Sequence, residues 1–359
     1  MIEEVYRRPP IRVALMGLGR AMFNDHFPVF VKHPALFEVV AACDTLKERR
    51  DLVKQHFPKC KMFRQFSDML DERDIDLVDI ATPTSSHLKD ATRALATGRW
   101  VLLESPMVTT PDDTQILRGA ATKAKNRLII MERGMFAPDY LLAKQAMKDS
   151  RLGTIHSIRI RNSDYIRRDD WQCIKRLGGG ACYYAMISPV MQALELLPVP
   201  PFQIWCDLKR VASLGDSEDC VRLCIKTRDE ISADAEYSGG VLPGDEEPSF
   251  KIIGDRGSFT VWQGAKEGKA RFIDPGHEFP RRRSSVRTPP LKDRHERFKI
   301  AEETVALPKG TLSGPSAFWR HVYDSVRSGS PFPVSLDASI EAVRFAYLMK
   351  KTSPYWSGN

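Results

Sequence analysis

From Ile11 onward the chain alternates short, unbroken apolar runs with stretches whose apolar residues recur every three to four positions. Residues 11–16, 37–43, 76–81, 100–104 and 127–131 are predicted strands; 20–32, 46–57, 86–97 and 112–124 are predicted helices. Unbroken apolarity, rather than strict alternation, marks strands covered on both faces of a parallel sheet. Strand–helix repetition of this kind predicts a doubly wound α/β domain in the first part of the chain. Residues 264–316 show little periodicity, are polar and rich in Pro and Arg, and read as a solvated arm.

Gly17-Leu18-Gly19-Arg20-Ala21-Met22 falls between the first predicted strand and the first predicted helix. The first glycine permits a tight turn, and the second lets backbone N–H groups approach a pyrophosphate at the helix N-terminus. The third position usually holds a small residue, and Met22 departs from that. Asp44 ends the second strand, where an acid accepts hydrogen bonds from both adenosine ribose hydroxyls and repels a 2′-phosphate. The same aspartate also reads as the cap of the helix that follows. Gly17, Gly19, Arg20, Ala21 and Asp44 therefore point to a bound dinucleotide, NAD before NADP, with Lys47, Arg49 and Arg50 keeping NADP open.

The 359 residues exceed one ordinary core and fit two domains. Hydrophobic residues at 42% and charged residues at 28% are the composition of a soluble globular chain. The net charge of +8 is uneven, and residues 278–299, with Arg281, Arg282 and Arg283, supply more than half of it. That segment lacks the interleaved aromatics that stack on bases, so no nucleic-acid partner is expected. Residues 1–10 have no apolar core of a secretory signal, and no long apolar run calls for a membrane. Seven cysteines without a CxxC pair, and scattered histidines, predict reduced thiols, no metal site and a cytoplasmic location.

Further motifs follow in order. Thr82-Pro83 and His87 run off the third predicted strand, Glu104-Ser105-Pro106 closes the next, and Gly153-Thr154-Ile155 opens a later one. Gly178-Gly179-Gly180 comes next, then a hairpin around Gly254-Asp255-Arg256-Gly257. In order and spacing the chain resembles the glucose–fructose oxidoreductase / inositol dehydrogenase / MocA (Gfo/Idh/MocA) family from about residue 11 to 353. The resemblance implies an N-terminal Rossmann domain, here residues 1–133. It implies a C-terminal α+β domain on a large, mainly antiparallel sheet, residues 134–359, whose last helix packs back on the first domain. It further implies NAD(P) with Thr82, Pro83, His87 and Glu104 beside the nicotinamide, a sugar, cyclitol or polyol substrate, and a homo-oligomer, dimer or tetramer.

The reacting positions depart from that family. Its Glu-Lys-Pro lysine aligns with Ser105, and the aspartate and histidine after the glycines align with Tyr184 and Ser188. Met135 stands where an arginine is common. A serine hydroxyl does not carry a proton unaided near neutral pH, where histidine does. Tyr184 is the candidate replacement, provided a nearby cation such as Lys175 or Arg176 lowers its pKa. Tyr183, Trp171, Asp164, Tyr165, Arg167, Arg168 and Asp170 complete the expected substrate side. An NAD(P)-dependent oxidoreductase with an unusual proton carrier is the leading reading. A non-catalytic relative, sensing a dinucleotide or sugar or serving as a partner subunit, is the alternative.

Overall fold

A computed structural model describes residues 8–279 and 297–353. Its first sheet comprises β1 (Ile11–Met16), β2 (Phe37–Cys43), β3 (Lys61–Phe63), β4 (Leu77–Ile80), β5 (Trp100–Leu103) and β6 (Leu128–Ile130). All its pairs are parallel, in the order β3-β2-β1-β4-β5-β6. The order reverses between β1 and β4, so a crevice opens at their C-terminal ends, where ligands of such sheets bind. α1 (Phe27–Lys32), α2 (Lys47–His56), α3 (Phe66–Leu70), α4 (Thr84–Ala96) and α5 (Pro111–Lys123) connect the strands. β4 is buried along its whole length, Asp79 included.

The predicted helix over 20–32 is not continuous. Met22–His26 form one π-helical turn, and α1 starts only at Phe27. Pro28 has no N–H to continue a regular ladder from upstream. The widened turn is a common device at functional sites. It leaves Met22 and His26 wholly buried, which accommodates the large residue at the third motif position.

The second sheet has the order β14-β13-β12-β11-β7-β10-β9-β8. Its strands are β7 (Ile155–Ser163), β8 (Pro201–Lys209), β9 (Cys220–Thr227), β10 (Ser232–Ser238), β11 (Phe250–Gly254), β12 (Gly257–Val261), β13 (Glu267–Ile273) and β14 (Ile300–Ala306). Only the β7–β10 pair is parallel. Ala233, Ala235 and Tyr237 of β10 face inward, while Asp234 on the other face pairs with Arg161 at 2.9 Å and Arg222 at 2.8 Å. α6 (Pro138–Ala146), α7 (Ala181–Tyr184) and α8 (Ile187–Leu196) cover the inner face.

The expected arm at 264–316 needs correction. β13 and β14 lie within it as ordinary antiparallel partners. In β13 the inward residues are Gly268, Ala270 and Phe272, and the two small ones hide the alternation from a hydropathy reading. Arg281, Arg282 and Arg283 lie outside the described residues.

α9 (Gly314–Ser328) and α10 (Leu336–Thr352) return to the first sheet's side. Trp319 of α9 sets its ring edge-on to Phe30 and Phe37, with centroids 5.1 and 5.6 Å apart. Aromatic pairs of this geometry add to the burial of apolar area. Asp337 of α10 pairs with Arg118 of α5 at 2.6 Å. Among the described residues no helix is long and apolar enough to cross a membrane.

Candidate functional site: a cleft between the two sheets

Gly17 has φ +84°, and a Cβ there would stand 2.7 Å from the backbone nitrogen of Thr82. The chain leaving β1 thus runs directly against the end of β4, and only glycine fits. A Cβ at Gly19 would meet only the Arg49 guanidinium, at 4.0 Å, so this side of the turn stays open. Asp44 holds the arrangement from β2. Its carboxylate accepts from Leu18 N–H and from Leu46 N–H, each at 2.8 Å, and Arg49 lies 3.5 Å away. Asp44 therefore braces the glycine turn and the turn into α2, but it does not cap that helix, whose N-cap is Leu46. The turn and carboxylate fit an adenine dinucleotide: open backbone for the pyrophosphate, an acid for the ribose.

Those residues begin a cleft of about 910 Å³, which Arg20, Ala21, Thr82, Pro83, His87 and Glu104 also line. Arg20 crosses it, donating to Gln172 Oε1 at 2.6 Å and pairing with Asp170 at 3.0 Å. His87 joins two loops, with Nδ1 2.9 Å from the Pro106 carbonyl and Nε2 2.8 Å from the Thr82 carbonyl. Burial pulls its pKa down, against the help of those two carbonyls. Neutral, the ring donates to one of these two carbonyls and faces the other.

Behind Glu104 lies a buried cluster that sequence reasoning missed. His26 of the π turn bridges Asp79 Oδ2 at 2.8 Å and Glu104 Oε1 at 2.7 Å. Burial alone would lower the imidazole's pKa, but the charges and hydrogen bonds of Asp79 and Glu104 prevail and raise it to about 10. Burial pushes Glu104 up, and the His26 bond and charge overcome this and bring it down. Glu104 also accepts the Ser105 N–H at 3.0 Å. It is held ionised.

Glu132, two residues past β6, was missed as well. It is 1% exposed yet borders the cleft. Its Oε1 accepts from Ser105 Oγ at 2.6 Å and its Oε2 from Ser188 Oγ at 2.9 Å. Burial raises its pKa to about 7 with a contribution from Glu104, and the two serine bonds only partly oppose that. The signal was available: like Asp44, Glu132 is an acid ending an apolar strand.

The expected substrate-side residues divide. Tyr183, Tyr184, Trp171, Ser105 and Ser188 line the cleft, with Arg168 and Asp170, whereas Lys175 and Arg176 do not. The Tyr183 hydroxyl is committed to the Thr109 carbonyl at 2.8 Å. The cation at Tyr184 is Arg168, its guanidinium 4.2 Å from the ring centroid. Burial raises the Tyr184 phenol, the nearby Tyr237 adds to this, and Arg168 does not reverse it. The expected lowering by a neighbouring cation is corrected: the Tyr184 phenol is pushed up and keeps its proton. The Gly178-Gly179-Gly180 turn is tied to Glu218, whose carbonyl accepts Ala181 N–H and whose carboxylate accepts Cys182 N–H. Lys350 of α10 meets that carboxylate at 3.1 Å.

Two family models match the chain. The oxidoreductase family with an NAD-binding Rossmann fold (GFO_IDH_MocA) matches residues 11–132, and the GFO/IDH/MocA C-terminal domain matches 140–260. An uncharacterized oxidoreductase of Schizosaccharomyces pombe is 26% identical over 266 residues, 70% of each chain. The scyllo-inositol 2-dehydrogenase (NADP(+)) IolW of Bacillus subtilis is 19% identical over 336 residues, 93% of this chain and 91% of that one. Among solved structures, the WlbA dehydrogenase of Bordetella pertussis, in complex with NADH and UDP-GlcNAcA, superposes with a TM-score of 0.72. It is 20% identical, over 96% of both chains, a likeness of fold.

Proposed function

The chain belongs to the Gfo/Idh/MocA family of NAD-binding oxidoreductases, and from that premise we propose that it oxidises or reduces a sugar, cyclitol or related polyol by hydride transfer, using an atypical proton-transfer group. The observation that carries this reading is one cleft bordered by Gly17 and Asp44 and also by Ser105, Glu132, Ser188 and Tyr184. The first pair binds the dinucleotide, NAD in preference to NADP, and the second group meets the substrate. When bound, the nicotinamide supplies the hydride acceptor or donor.

Hydroxyl, amide and guanidinium groups of Tyr184, Gln172 and Arg168 border the cleft, with the indole of Trp171 beside them. Such a lining suits a molecule with many hydroxyls and at least one ring face. The relatives support the class: one is named an inositol dehydrogenase, and one was crystallised with a sugar nucleotide. In the same proposal, residues 1–133 bind the cofactor and 134–359 bind substrate. Copies of the chain associate through the open face of the second sheet, where Phe202 and Trp205 of β8 are exposed.

The test is a panel of polyols and ketosugars offered with NAD or NADP, read by nicotinamide absorbance. Turnover of at least one polyol or ketosugar is expected. Dinucleotide binding by calorimetry without turnover of any panel member overturns the substrate reading.

A further inference from the structure

Among the titratable groups that line the cleft, His87, Glu104, Tyr183 and Tyr184 are committed, the Tyr183 hydroxyl to the Thr109 carbonyl. His87 has a carbonyl on each ring nitrogen. Glu104 is locked as a carboxylate by His26 at 2.7 Å. Tyr184 keeps its proton. Glu132 is different: its two contacts are both serine hydroxyls, groups that donate and accept equally well. Those hydroxyls belong to Ser105 and Ser188, which are half-buried and reach the cleft that Glu132 itself barely touches.

We propose that Glu132 stores and returns the proton of this reaction, exchanging it with the substrate through the hydroxyls of Ser105 and Ser188. The inference deepens the polyol reading above and rests on it. In the oxidising direction the substrate O–H bond breaks and its proton moves to a serine oxygen. That serine's own proton passes to the Glu132 carboxylate, so the relay ends neutral. The carbon–oxygen bond becomes a carbonyl as the C–H electron pair leaves as hydride, which the bound nicotinamide of the reading above would accept. Reduction of a ketone runs the same path backwards.

The surroundings suit a proton store. Burial and the fixed charge of Glu104 disfavour a second carboxylate, which places the change of state near neutral pH. The charge that acts on Glu132 is Glu104, held by His26, while Arg133, next in the chain, is paired with Asp25 at 2.9 Å and acts on Glu104. The relay geometry is fixed by close packing. A Cβ at Gly134 would stand 2.6 Å from Ser188 Cβ, and Gln192 of α8 donates to the Gly134 carbonyl at 2.9 Å. α8 is thereby strapped to the loop carrying Glu132, which sets the distance of Ser188 from the acid.

Infrared titration of the full chain without added substrate tests the store itself. A protonated-carboxyl band that disappears as pH rises through about 7 is expected, and Glu132→Gln should lack it. With the polyol that the panel identifies, Glu132→Gln should lower kcat by about 10²- to 10⁴-fold. It should leave KM and NAD affinity unchanged and abolish the pH limb near 7. Ser105→Ala/Ser188→Ala, which keeps the acid and breaks the relay, should keep the band and lose kcat. A band that persists in Glu132→Gln, or a pH limb that survives there, overturns the proposal. If no polyol is turned over at all, the polyol reading fails by itself, and the band still decides whether Glu132 holds the proton.

Discussion

The imidazole of His26 stands 2.7 Å from the Glu104 carboxylate at the base of the cleft, with Asp79 on its other nitrogen. This contact brings a π-turn residue from before α1 to an acid 78 positions later. It keeps Glu104 charged, and that charge helps to raise the pKa of Glu132 nearby.

Removing His26 should expose the cost of that arrangement. His26→Ala strands Glu104 in a buried site without its cation, and a lost buried partner costs roughly 3–5 kcal/mol. Urea denaturation should show a drop of that order at neutral pH, with a red-shifted environment of Trp319, whose ring lies 5.6 Å from the imidazole.

The same pair gives a pH signature. The folded pKa of His26, about 10, exceeds the ordinary 6.5, so its stabilisation is complete below 6.5 and fades as pH rises through 10. Unfolding free energy measured across that window should fall in the natural chain. A His26→Gln variant should be flat there apart from other titrations.

Glu132 gives a pH dependence of the same sign in a lower window, although its removal acts the other way. Its folded pKa is raised from 4.5 to about 7, so the folded state holds a proton that the unfolded state releases. Stability from this group is full below 4.5 and declines as pH rises to about 7. Glu132→Gln should therefore stabilise the chain above that pH by up to about 3 kcal/mol. A thermal shift upward at alkaline pH, and none at acid pH, is the expected result.

Gly17 and Asp44 should separate shape from charge in cofactor binding. Gly17→Ala forces a Cβ against the Thr82 backbone in a left-handed conformation that itself costs about 1–2 kcal/mol. Calorimetry should show weaker binding of NAD and NADP alike. Asp44→Asn keeps the size but puts an amide against one of two backbone N–H donors. It should weaken NAD more than NADP, because the charge that repels a 2′-phosphate is gone.

Tyr184→Phe discriminates the proton carriers. A phenol that only donates a hydrogen bond contributes a few kcal/mol at most. Turnover of the panel substrate should fall about tenfold with its pH profile in place, unlike Glu132→Gln.

Local pattern alone was enough for five strands of the parallel sheet, though not its short edge strand β3, for the glycine turn between β1 and the π turn, and for an acid at the end of β2. These depend on period, on φ at Gly17 and on residues adjacent in the chain. The run 264–316 resisted because Gly268 and Ala270 are too small to mark a buried face. The proton-handling end was not legible in the same way. Ser105 and Ser188 look inert as isolated hydroxyls, and Glu132 looks like a strand-end acid among many. Only the pairing of β5 with β6, and α8 strapped through Gln192 to Gly134, bring the three together. Burial and the charge on Glu104 then shift the acid, and neither exists until the chain is folded.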